Sequence, residues 1–390
     1  MPTRYTRREY LAASVAGMST ALAGCVEGIM SDSGVSATDS SISGSPMYQY
    51  DSANTGYASD EVGPTQNITQ LWSFETEGAV QSSPAVVDGI VYVGSLDGNV
   101  YAVDAVTGNQ QWSFETDGSE SGSVLSSPAV VDDTVYFGSE DDSVYAVDAN
   151  TGDRKWTFET GESIYSSATV VGGTVYIGSN DNSLYALDAT SGDLQWVFEI
   201  DDWVRSSPAV VDGAVYVGSH NGTLYALDSN TGDQLWSFET GRPVQSSPAV
   251  LDGVVFALSY NGSVYALDTD TGDQIWKFDA NEGGQSSPAV VDGTVYVGSY
   301  DSNIYALDVS SGEQQWVFET GDSVYSSPVV VDDTVYAGSY DDNVYALDAN
   351  TGDQLWSFET YESVYSSPAV VDGNVYIGSA DNNIYALSES

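Results

Sequence analysis

Residues 326–360, SSPVVVDDTVYAGSYDDNVYALDANTGDQLWSFET, form a unit that recurs along most of the 390-residue chain. Two sequence motifs show how many copies there are. A Trp followed two residues later by Phe recurs every 40 residues, with one step of 44, at Trp72, Trp112, Trp156, Trp196, Trp236, Trp276, Trp316 and Trp356. Ser-Ser-Pro begins at Ser82, Ser126, Ser206, Ser246, Ser286, Ser326 and Ser366, and Ser166-Ser167-Ala168 is the variant. The chain therefore contains eight copies of one structural unit.

Within a copy, apolar residues alternate with a period of two, which is typical of β-strands. Trp356 and Phe358, for example, share a face opposite Ser357 and Glu359. Asp-Gly pairs such as Asp292-Gly293 separate the first two runs, and these pairs suit two-residue hairpins. Each copy is therefore predicted to be a meander of four antiparallel strands.

A four-stranded repeat of about 40 residues indicates the blade of a propeller, since one blade alone cannot bury both faces of its sheet. The repeat region starts with a lone Trp strand at residues 70–76 and finishes with a copy that lacks its Trp strand. The two fragments complete each other. The sequence therefore predicts an all-β fold: an eight-bladed β-propeller of four-stranded antiparallel blades, closed by the N-terminal Trp strand, which completes the last blade.

The N-terminus has the layout of an export signal. Arg7 and Arg8 precede a mildly apolar run at residues 11–23, which is too short to span a bilayer, and Leu-Ala-Gly-Cys follows, ending at Cys25. These motifs resemble a twin-arginine signal with a lipoprotein box, which implies a lipid on Cys25 and an extracellular protein anchored to the outer face of the cytoplasmic membrane. The alternative is a leader with an incidental Cys. We expect a signal at residues 1–25, a flexible Ser/Gly/Asp-rich tether at 26–47 and the propeller at 48–390.

The charge of the chain is extreme. It has 57 acidic and 8 basic residues, for a net charge of −49, and the acidic residues are spread over every repeat. This pattern resembles the secreted proteins of extreme halophiles, which implies a halophilic archaeal source. At low ionic strength the carboxylates repel one another, so we expect the ring to need salt for stability. Nucleic acid is a poor partner for such a surface.

Residues 346–356, ALDANTGDQLW, carry a family resemblance together with their copies. They are similar to the Trp-docking repeat of pyrroloquinoline-quinone-type propellers, over residues 70–387. The resemblance implies that the eight repeat Trp residues dock adjacent blades together. The family includes quinoprotein dehydrogenases, and also non-enzymatic propellers such as the lipoprotein of the bacterial outer-membrane barrel-assembly machine. The fold does not choose between them.

The residues disfavour an enzyme. The resemblance implies that a dehydrogenase would have an adjacent Cys pair, calcium held by Glu and Asn, an Asp base and long insertions. The repeats here contain no Cys, the chain has one His, and the one insertion adds four residues within 117–124. We expect no catalytic residue, no quinone and no metal. A quinone-dependent oxidoreductase, or a degenerate relic of one, is the alternative.

One acidic loop resembles a calcium site. Residues 148–153, DANTGD, place oxygen ligands at alternating positions, but no Glu follows at the distance of a bidentate ligand. We therefore favour a hairpin turn capped by Asp.

The repeats differ most at the residue before Ser-Ser-Pro and at the residue after Gly-Ser. In a propeller the loops that hold these two positions lie on one face, and here they are rich in Tyr. We predict that this face binds a protein partner at the cell surface, with a monomeric ring; glycan binding and neutral variation of surface loops are the alternatives. The candidate residues are Tyr165, Trp203, Arg205, His220, Arg242, Tyr260, Tyr300, Tyr325, Tyr340 and Tyr365.

Overall fold

The fold is known from a computed structural model that describes residues 44–58, 61–118 and 122–390. These residues form 34 β-strands and no helix, and so contain no helix that could cross a membrane. Thirty-two of the strands make eight four-stranded antiparallel blades, as the sequence predicts. The predicted signal and lipidation residues Arg7, Arg8 and Cys25 lie outside the described residues.

The blades are numbered in the order of their Ser-Ser-Pro copies, and the strands of each run from the central channel to the rim. Blade 1 contains β4 (Ala85–Val87), β5 (Ile90–Gly94), β6 (Asn99–Asp104) and β7 (Gln110–Glu115), and blade 2 contains β8 (Ala129–Val131), β9 (Thr134–Gly138), β10 (Ser143–Asp148) and β11 (Arg154–Glu159). Blade 3 contains β12 (Thr169–Val171), β13 (Thr174–Ser179), β14 (Ser183–Asp188) and β15 (Leu194–Glu199), and blade 4 contains β16 (Ala209–Val211), β17 (Ala214–Gly218), β18 (Thr223–Asp228) and β19 (Gln234–Glu239). Blade 5 contains β20 (Ala249–Leu251), β21 (Val254–Leu258), β22 (Ser263–Asp268) and β23 (Gln274–Asp279), and blade 6 contains β24 (Ala289–Val291), β25 (Thr294–Gly298), β26 (Asn303–Asp308) and β27 (Gln314–Glu319). Blade 7 contains β28 (Val329–Val331), β29 (Thr334–Gly338), β30 (Asn343–Asp348) and β31 (Gln354–Glu359), and blade 8 contains β32 (Ala369–Val371), β33 (Asn374–Gly378), β34 (Asn383–Glu389) and β3 (Ile68–Glu75).

Blade 8 closes the ring with strands from both ends of the repeat region. Strand β3 pairs antiparallel with β34, from Ile68 opposite Glu389 to Glu75 opposite Asn383. The predicted closure by the N-terminal Trp strand is therefore confirmed. The blade has no unpaired outer edge left by a missing strand.

The Ser-Ser-Pro motif joins the blades around the channel. The Oγ of the second Ser in each copy accepts the backbone N–H of the equivalent Ser in the preceding blade, at 2.8–3.0 Å. The donor–acceptor pairs are Ser83–Ser127, Ser127–Ser167, Ser167–Ser207, Ser207–Ser247, Ser247–Ser287, Ser287–Ser327, Ser327–Ser367 and Ser367–Ser83. The circle is complete. The first Ser acts within its own blade, as when Ser82 Oγ accepts the N–H of Gly94 at 2.8 Å.

Nearer the rim of the ring, the repeat Trp residues join each blade to the following blade. Trp112 Nε1 donates to the carbonyl of Ala149 in blade 2 at 2.8 Å, and the Trp ring lies against Gly152 of the same turn. Gly152 has a φ of +74°, and a Cβ there would lie 2.9 Å from the Trp112 ring. Glycine is therefore required at this position for two reasons: the left-handed backbone conformation and the close contact with the Trp112 ring. Equivalent Nε1 bonds run from Trp72, Trp156, Trp196, Trp236, Trp276 and Trp316 to Ala105, Ala189, Ser229, Thr269, Val309 and Ala349.

The last Trp uses a substitute for the missing turn. Blade 8 takes its fourth strand from the N-terminal side, so it has no turn between its third and fourth strands. The carbonyl of Pro64 instead accepts Trp356 Nε1 at 2.8 Å and the Tyr336 hydroxyl at 3.0 Å. The N-terminal lead-in therefore completes the docking of blade 7 on blade 8.

Residues 44–58 fill the central channel. The short strand β1 (Gly44–Ser45) pairs antiparallel with β4 of blade 1, and β2 (Tyr57–Ala58) pairs in parallel with β28 of blade 7. Between them, carbonyls of the segment accept N–H groups from the inner strands of blades 2, 4, 5, 6 and 7 at 2.6–2.9 Å. The donor–acceptor pairs are Val130–Pro46, Val210–Ser52, Val250–Ala53, Val290–Thr55 and Val330–Gly56. Gly44 and Ser45, which precede the predicted boundary at residue 48, thus already pair with blade 1.

The segment enters and leaves the channel on the same side of the ring. Gly44 lies opposite Val87, beside the first hairpin of blade 1. After the segment leaves, the Val62 carbonyl accepts the N–H of Gly373, in the corresponding hairpin of blade 8, at 2.9 Å. We call this side, which carries the first hairpins and the turns before the Trp strands, the hairpin face.

Substituting Gly152 by Ala tests the docking of Trp against the turn. The matched control is Gly173→Ala, because Gly173 also has a positive φ, of +78°, while a Cβ there would have no atom within 4 Å. The left-handed backbone costs each variant about 1 kcal/mol. Gly152→Ala should lose about 1–3 kcal/mol more, because its Cβ meets the Trp112 ring. Urea unfolding in molar salt measures both; equal losses would contradict a docking role for Trp112.

Removing the Tyr50 hydroxyl tests the channel segment. Tyr50 is buried, and its hydroxyl donates to the Val370 carbonyl at 3.0 Å and accepts the Val370 N–H. Tyr50→Phe leaves both backbone groups without this partner and should lower the free energy of unfolding by about 1–3 kcal/mol. Tyr361→Phe is the control, since Tyr361 is 85% exposed. Equal unfolding midpoints for the two variants would show that the segment contributes little to stability.

Candidate functional site

The two variable loops of each blade lie on the same side of the ring. The N–H of the residue after Gly-Ser donates to a carbonyl of the loop that enters the same blade, as in Tyr260 to Pro243 and Tyr300 to Gly283, both at 2.9 Å. All eight blades contain this bond; the other pairs are Leu96–Ala79, Glu140–Ser123, Asn180–Ser163, His220–Trp203, Tyr340–Ser323 and Ala380–Ser363. We call this side, opposite the hairpin face, the tyrosine face.

Five of the predicted residues form a continuous group of rings over blades 5 to 8, which we call the tyrosine belt: Tyr260, Tyr300, Tyr325, Tyr340 and Tyr365. Tyr325 is at its centre, with ring centroids 4.4 Å from Tyr300, 4.8 Å from Tyr340 and 5.5 Å from Tyr365. Tyr260 extends the belt to blade 5 at 5.9 Å from Tyr300. Adjacent blades therefore contribute rings to one half-buried aromatic surface.

Hydroxyl groups at one end of the belt form a hydrogen-bonded group with two glutamines. The Tyr260 hydroxyl donates to Gln245 Oε1 at 2.7 Å, and Gln285 Nε2 donates to both of these residues. Burial, together with the contact between its hydroxyl and that of Tyr260, raises the pKa of Tyr300 far above its ordinary value. Tyr300 therefore ionises only at a higher pH than an ordinary tyrosine.

Four more predicted residues form a second group over blades 3 and 4, which we call the arginine cluster: Tyr165, Trp203, Arg205 and His220. The Arg205 guanidinium lies 4.3 Å from the centroid of Tyr165 and 4.4 Å from that of Trp203. Its Nε donates to Asn180 Oδ1 at 3.0 Å. Trp203 also contacts His220, with ring centroids 5.1 Å apart. Cation–π contacts and one hydrogen bond thus hold the guanidinium in a defined orientation.

Carboxylates position the outer members of the arginine cluster. The Tyr165 hydroxyl donates to Glu140 Oε1, and His220 Nδ1 lies 3.6 Å from Asp202 Oδ2. Burial, followed by the hydrogen bond to Glu140, raises the pKa of Tyr165 to about 12, although Arg205 opposes the shift.

The remaining predicted residue, Arg242, has no side-chain hydrogen bond, ion pair or ring contact with either group among the described residues. Its side chain is exposed, and its carbonyl accepts the hydroxyls of Thr240 at 2.7 Å and Ser259 at 3.0 Å. No hydrogen bond, ion pair or ring contact among the described residues joins the tyrosine belt to the arginine cluster. The structure therefore divides the ten predicted residues into two groups and one isolated side chain.

Tyr361 is an aromatic residue of this face that the sequence prediction missed. It is 85% exposed, and its N–H donates to Asp381 at 3.0 Å. It occupies the position of Gly161, Gly241 and Gly321 in other blades. The sequence prediction included other departures from the repeat, such as Trp203 and Arg242, and a comparison of every loop position in every copy would have found Tyr361 as well.

The acidic loop at residues 148–153 is a capped turn. Asp148 Oδ1 accepts the N–H groups of Asn150 and Thr151 at 3.0 and 3.1 Å, and Gly152 takes the left-handed conformation. Within residues 44–58, 61–118 and 122–390, no group of three or more His, Cys, Asp or Glu side chains is placed to hold a metal ion.

Raising the pH above 10 should destabilise the ring. Burial raises the pKa of Tyr165 and of Tyr216 from 10.0 to about 12, so the folded chain keeps protons that the unfolded chain releases. The stability from these tyrosines is fully present below pH 10 and is lost as the pH rises to about 12. Urea midpoints in molar salt, with tyrosinate absorbance recorded in parallel, measure this. A constant midpoint across that range would contradict it.

Several solved structures share this fold. A quinohemoprotein alcohol dehydrogenase from Comamonas testosteroni is 18% identical, with a TM-score of 0.78 over 88% of this chain and 80% of that protein. BamB from Moraxella catarrhalis is 22% identical, with a TM-score of 0.69 over 82% of this chain and 99% of that protein. The computationally designed Ika8 protein is 20% identical, with a TM-score of 0.72 over 81% and 98%. At these identities the likeness shows the fold.

Comparison with curated proteins gives no match. A family model described as outer membrane protein assembly factor BamB matches residues 65–141, 140–248, 220–327 and 320–390. These overlapping matches cover the whole ring of blades, so the chain belongs to the BamB family of outer membrane protein assembly factors.

Proposed function

We propose that this protein is a non-catalytic binding or scaffold propeller that holds a protein partner on its tyrosine face. The observation that carries the proposal is the concentration of ring contacts on that face: five tyrosines in the belt and the stacked guanidinium of Arg205. Large, rigid aromatic side chains and Arg are enriched where proteins bind one another. The BamB-family fold is compatible with this role.

The packing of the rings favours a protein over a glycan. A sugar stacks on a free, flat aromatic face, but the belt rings are tilted against one another by 37–69° at centroid distances of 4.4–5.9 Å. Their faces are largely taken by neighbouring rings, while edges and hydroxyls are left for a partner. Such a surface suits the mixed apolar and polar contacts of a polypeptide.

The residues present do not fit a quinone cofactor, which is why an oxidoreductase is the second candidate only. The one Cys of the chain, Cys25, precedes the ring, so no adjacent Cys pair is present. The wall of the channel offers backbone N–H groups, but five of them already bind carbonyls of residues 46–56. Residues 44–58 therefore compete directly with any ligand for the channel.

The path of the N-terminal segment suits presentation at a surface. The segment joins the ring at Gly44, on the hairpin face. This contact of Gly44, the first described residue, lies on the side of the ring opposite the tyrosine face. We include in the proposal a twin-arginine signal at Arg7 and Arg8, a lipid on Cys25 and a halophilic cell surface, which account together for the N-terminal motifs and the net charge of −49.

Site-specific crosslinking tests the proposed face. A photoreactive residue at Tyr340 should crosslink one protein partner in cells grown in molar salt, because the belt lies in the interface. The same residue at Val106, which is 81% exposed on the hairpin face, is the matched control. Excess purified ring should compete for the crosslink, and ring carrying Tyr325→Ala should compete at least about tenfold less well.

Two results would count against the proposal. One is crosslinking that is equal at Tyr340 and Val106, which would mean non-specific contact. The other is saturable quenching of Trp fluorescence by pyrroloquinoline quinone and calcium, with dye-linked turnover of an alcohol or a sugar, which would support the oxidoreductase.

A further inference from the structure

The basic residues of the ring divide into two kinds. The described chain has five Lys and Arg side chains, and three of them pair with carboxylates: Arg154 with Asp117, Lys155 with Asp148 at 3.4 Å, and Lys277 with Asp279 at 2.7 Å. Arg205 and Arg242 have no carboxylate partner within the described residues. In a chain with 57 acidic residues, two unpaired guanidinium groups on one face call for a physical reason.

The environment of Arg205 keeps it unpaired and oriented. Glu140 accepts the Tyr165 hydroxyl and Asp202 Oδ2 lies 3.6 Å from His220 Nδ1, and neither carboxylate forms an ion pair with Arg205. Two rings lie against the guanidinium, and Nε donates to Asn180. The two Nη nitrogens have no acceptor in the part of the chain that the structure describes. Their edge presents a fork that matches a carboxylate in geometry and charge.

Arg242 adds a second positive charge beside this cluster. Its position is acidic in five other blades, where it is Glu162, Asp202, Glu282, Asp322 or Glu362. A Cβ on Gly222 would lie 2.9 Å from the Arg242 nitrogen, so the loop of Arg242 lies against the loop that carries His220. The backbone role of the position is kept while its charge is reversed. We call Arg205 and Arg242, with Trp203 and His220, the basic island.

We infer that the basic island is a docking subsite for an acidic segment of the protein partner, with one carboxylate held by the Nη fork of Arg205. The inference rests on the proposed function and names the chemistry of the partner. Charge complementarity at contact distance selects this occupant, because the Nη nitrogens of Arg205 have no acceptor among the described residues and a carboxylate matches their fork.

The geometry suits binding in concentrated salt. At about 1 M salt the screening length is about 3 Å, so long-range attraction contributes little. Direct hydrogen bonds from an oriented guanidinium persist under these conditions, while a flexible point charge is less effective. Arg205→Lys therefore separates an oriented fork from simple positive charge.

Fluorescence anisotropy with a labelled hexaglutamate peptide in molar salt tests the subsite, and hexaglutamine is the peptide control. We expect hexaglutamate to bind more tightly, and Arg205→Gln and Arg205→Lys each to weaken it at least about tenfold. Arg242→Gln should weaken it less. Arg154→Gln is the matched control, because Arg154 is already paired with Asp117 and should leave binding unchanged. Equal affinity for the two peptides, full binding by Arg205→Lys, or an equal loss in Arg154→Gln would overturn the inference.

The crosslink at Tyr340 separates this inference from the proposed function. A partner that crosslinks equally to the ring with Arg205→Gln would leave the proposed function intact and overturn the acidic subsite. Hexaglutamate binding that depends on Arg205, with no partner crosslinked anywhere on the tyrosine face, would support the carboxylate subsite and count against the proposed function.

Discussion

The hydrogen bond from a Ser N–H to the Oγ of the equivalent Ser in the next blade is the interaction on which the ring depends. Every second Ser of the motif is both a donor and an acceptor in this circle. All eight donors are satisfied together only when the circle closes, and buried backbone donors without partners are costly. The bond from Ser367 to Ser83 therefore makes an open array of blades unfavourable, as does the pairing of β3 with β34.

The same constraint explains where the sequence can vary. The inner serines, the docked Trp residues and the left-handed Gly of each turn have a neighbour in the adjacent blade, so a change in one copy disturbs two blades. The loops of the tyrosine face share backbone bonds in every blade, as at Tyr300 and Gly283, and a repeated bond from a Tyr hydroxyl to a loop Asp, as from Tyr305 to Asp301. The side chains just before Ser-Ser-Pro and just after Gly-Ser have no partner that repeats in this way. Those positions are free to differ, and the rings and unpaired Arg residues are found there.

The fold was predictable because its contacts repeat. The channel segment and the contacts of the candidate site were not predictable, since each of their contacts occurs only once. The eight copies of the repeat were enough to predict the blades, the closure of the ring and the common face of Tyr260 and Tyr300. Residues 44–58 show no period, and their partners lie in seven different blades, so nothing local places them in the channel. Ring contacts such as Tyr300 with Tyr325 depend on side-chain direction across a blade boundary, which residue types alone do not give. Arg242 is a residue type expected at such a surface, yet its side chain makes no hydrogen bond, ion pair or ring contact with either group among the described residues.

The filled channel limits where this ring can bind another molecule. Val130, Val210, Val250, Val290 and Val330 present N–H groups to the channel, and an empty channel would be a site for a polar ligand. Here the chain satisfies these donors with its own carbonyls, and the Tyr50 hydroxyl does the same for Val370. A ligand entering the channel would have to break these bonds and replace them. Recognition is therefore less costly on the outer loops, where the tyrosine belt and the basic island need no internal contact to be broken.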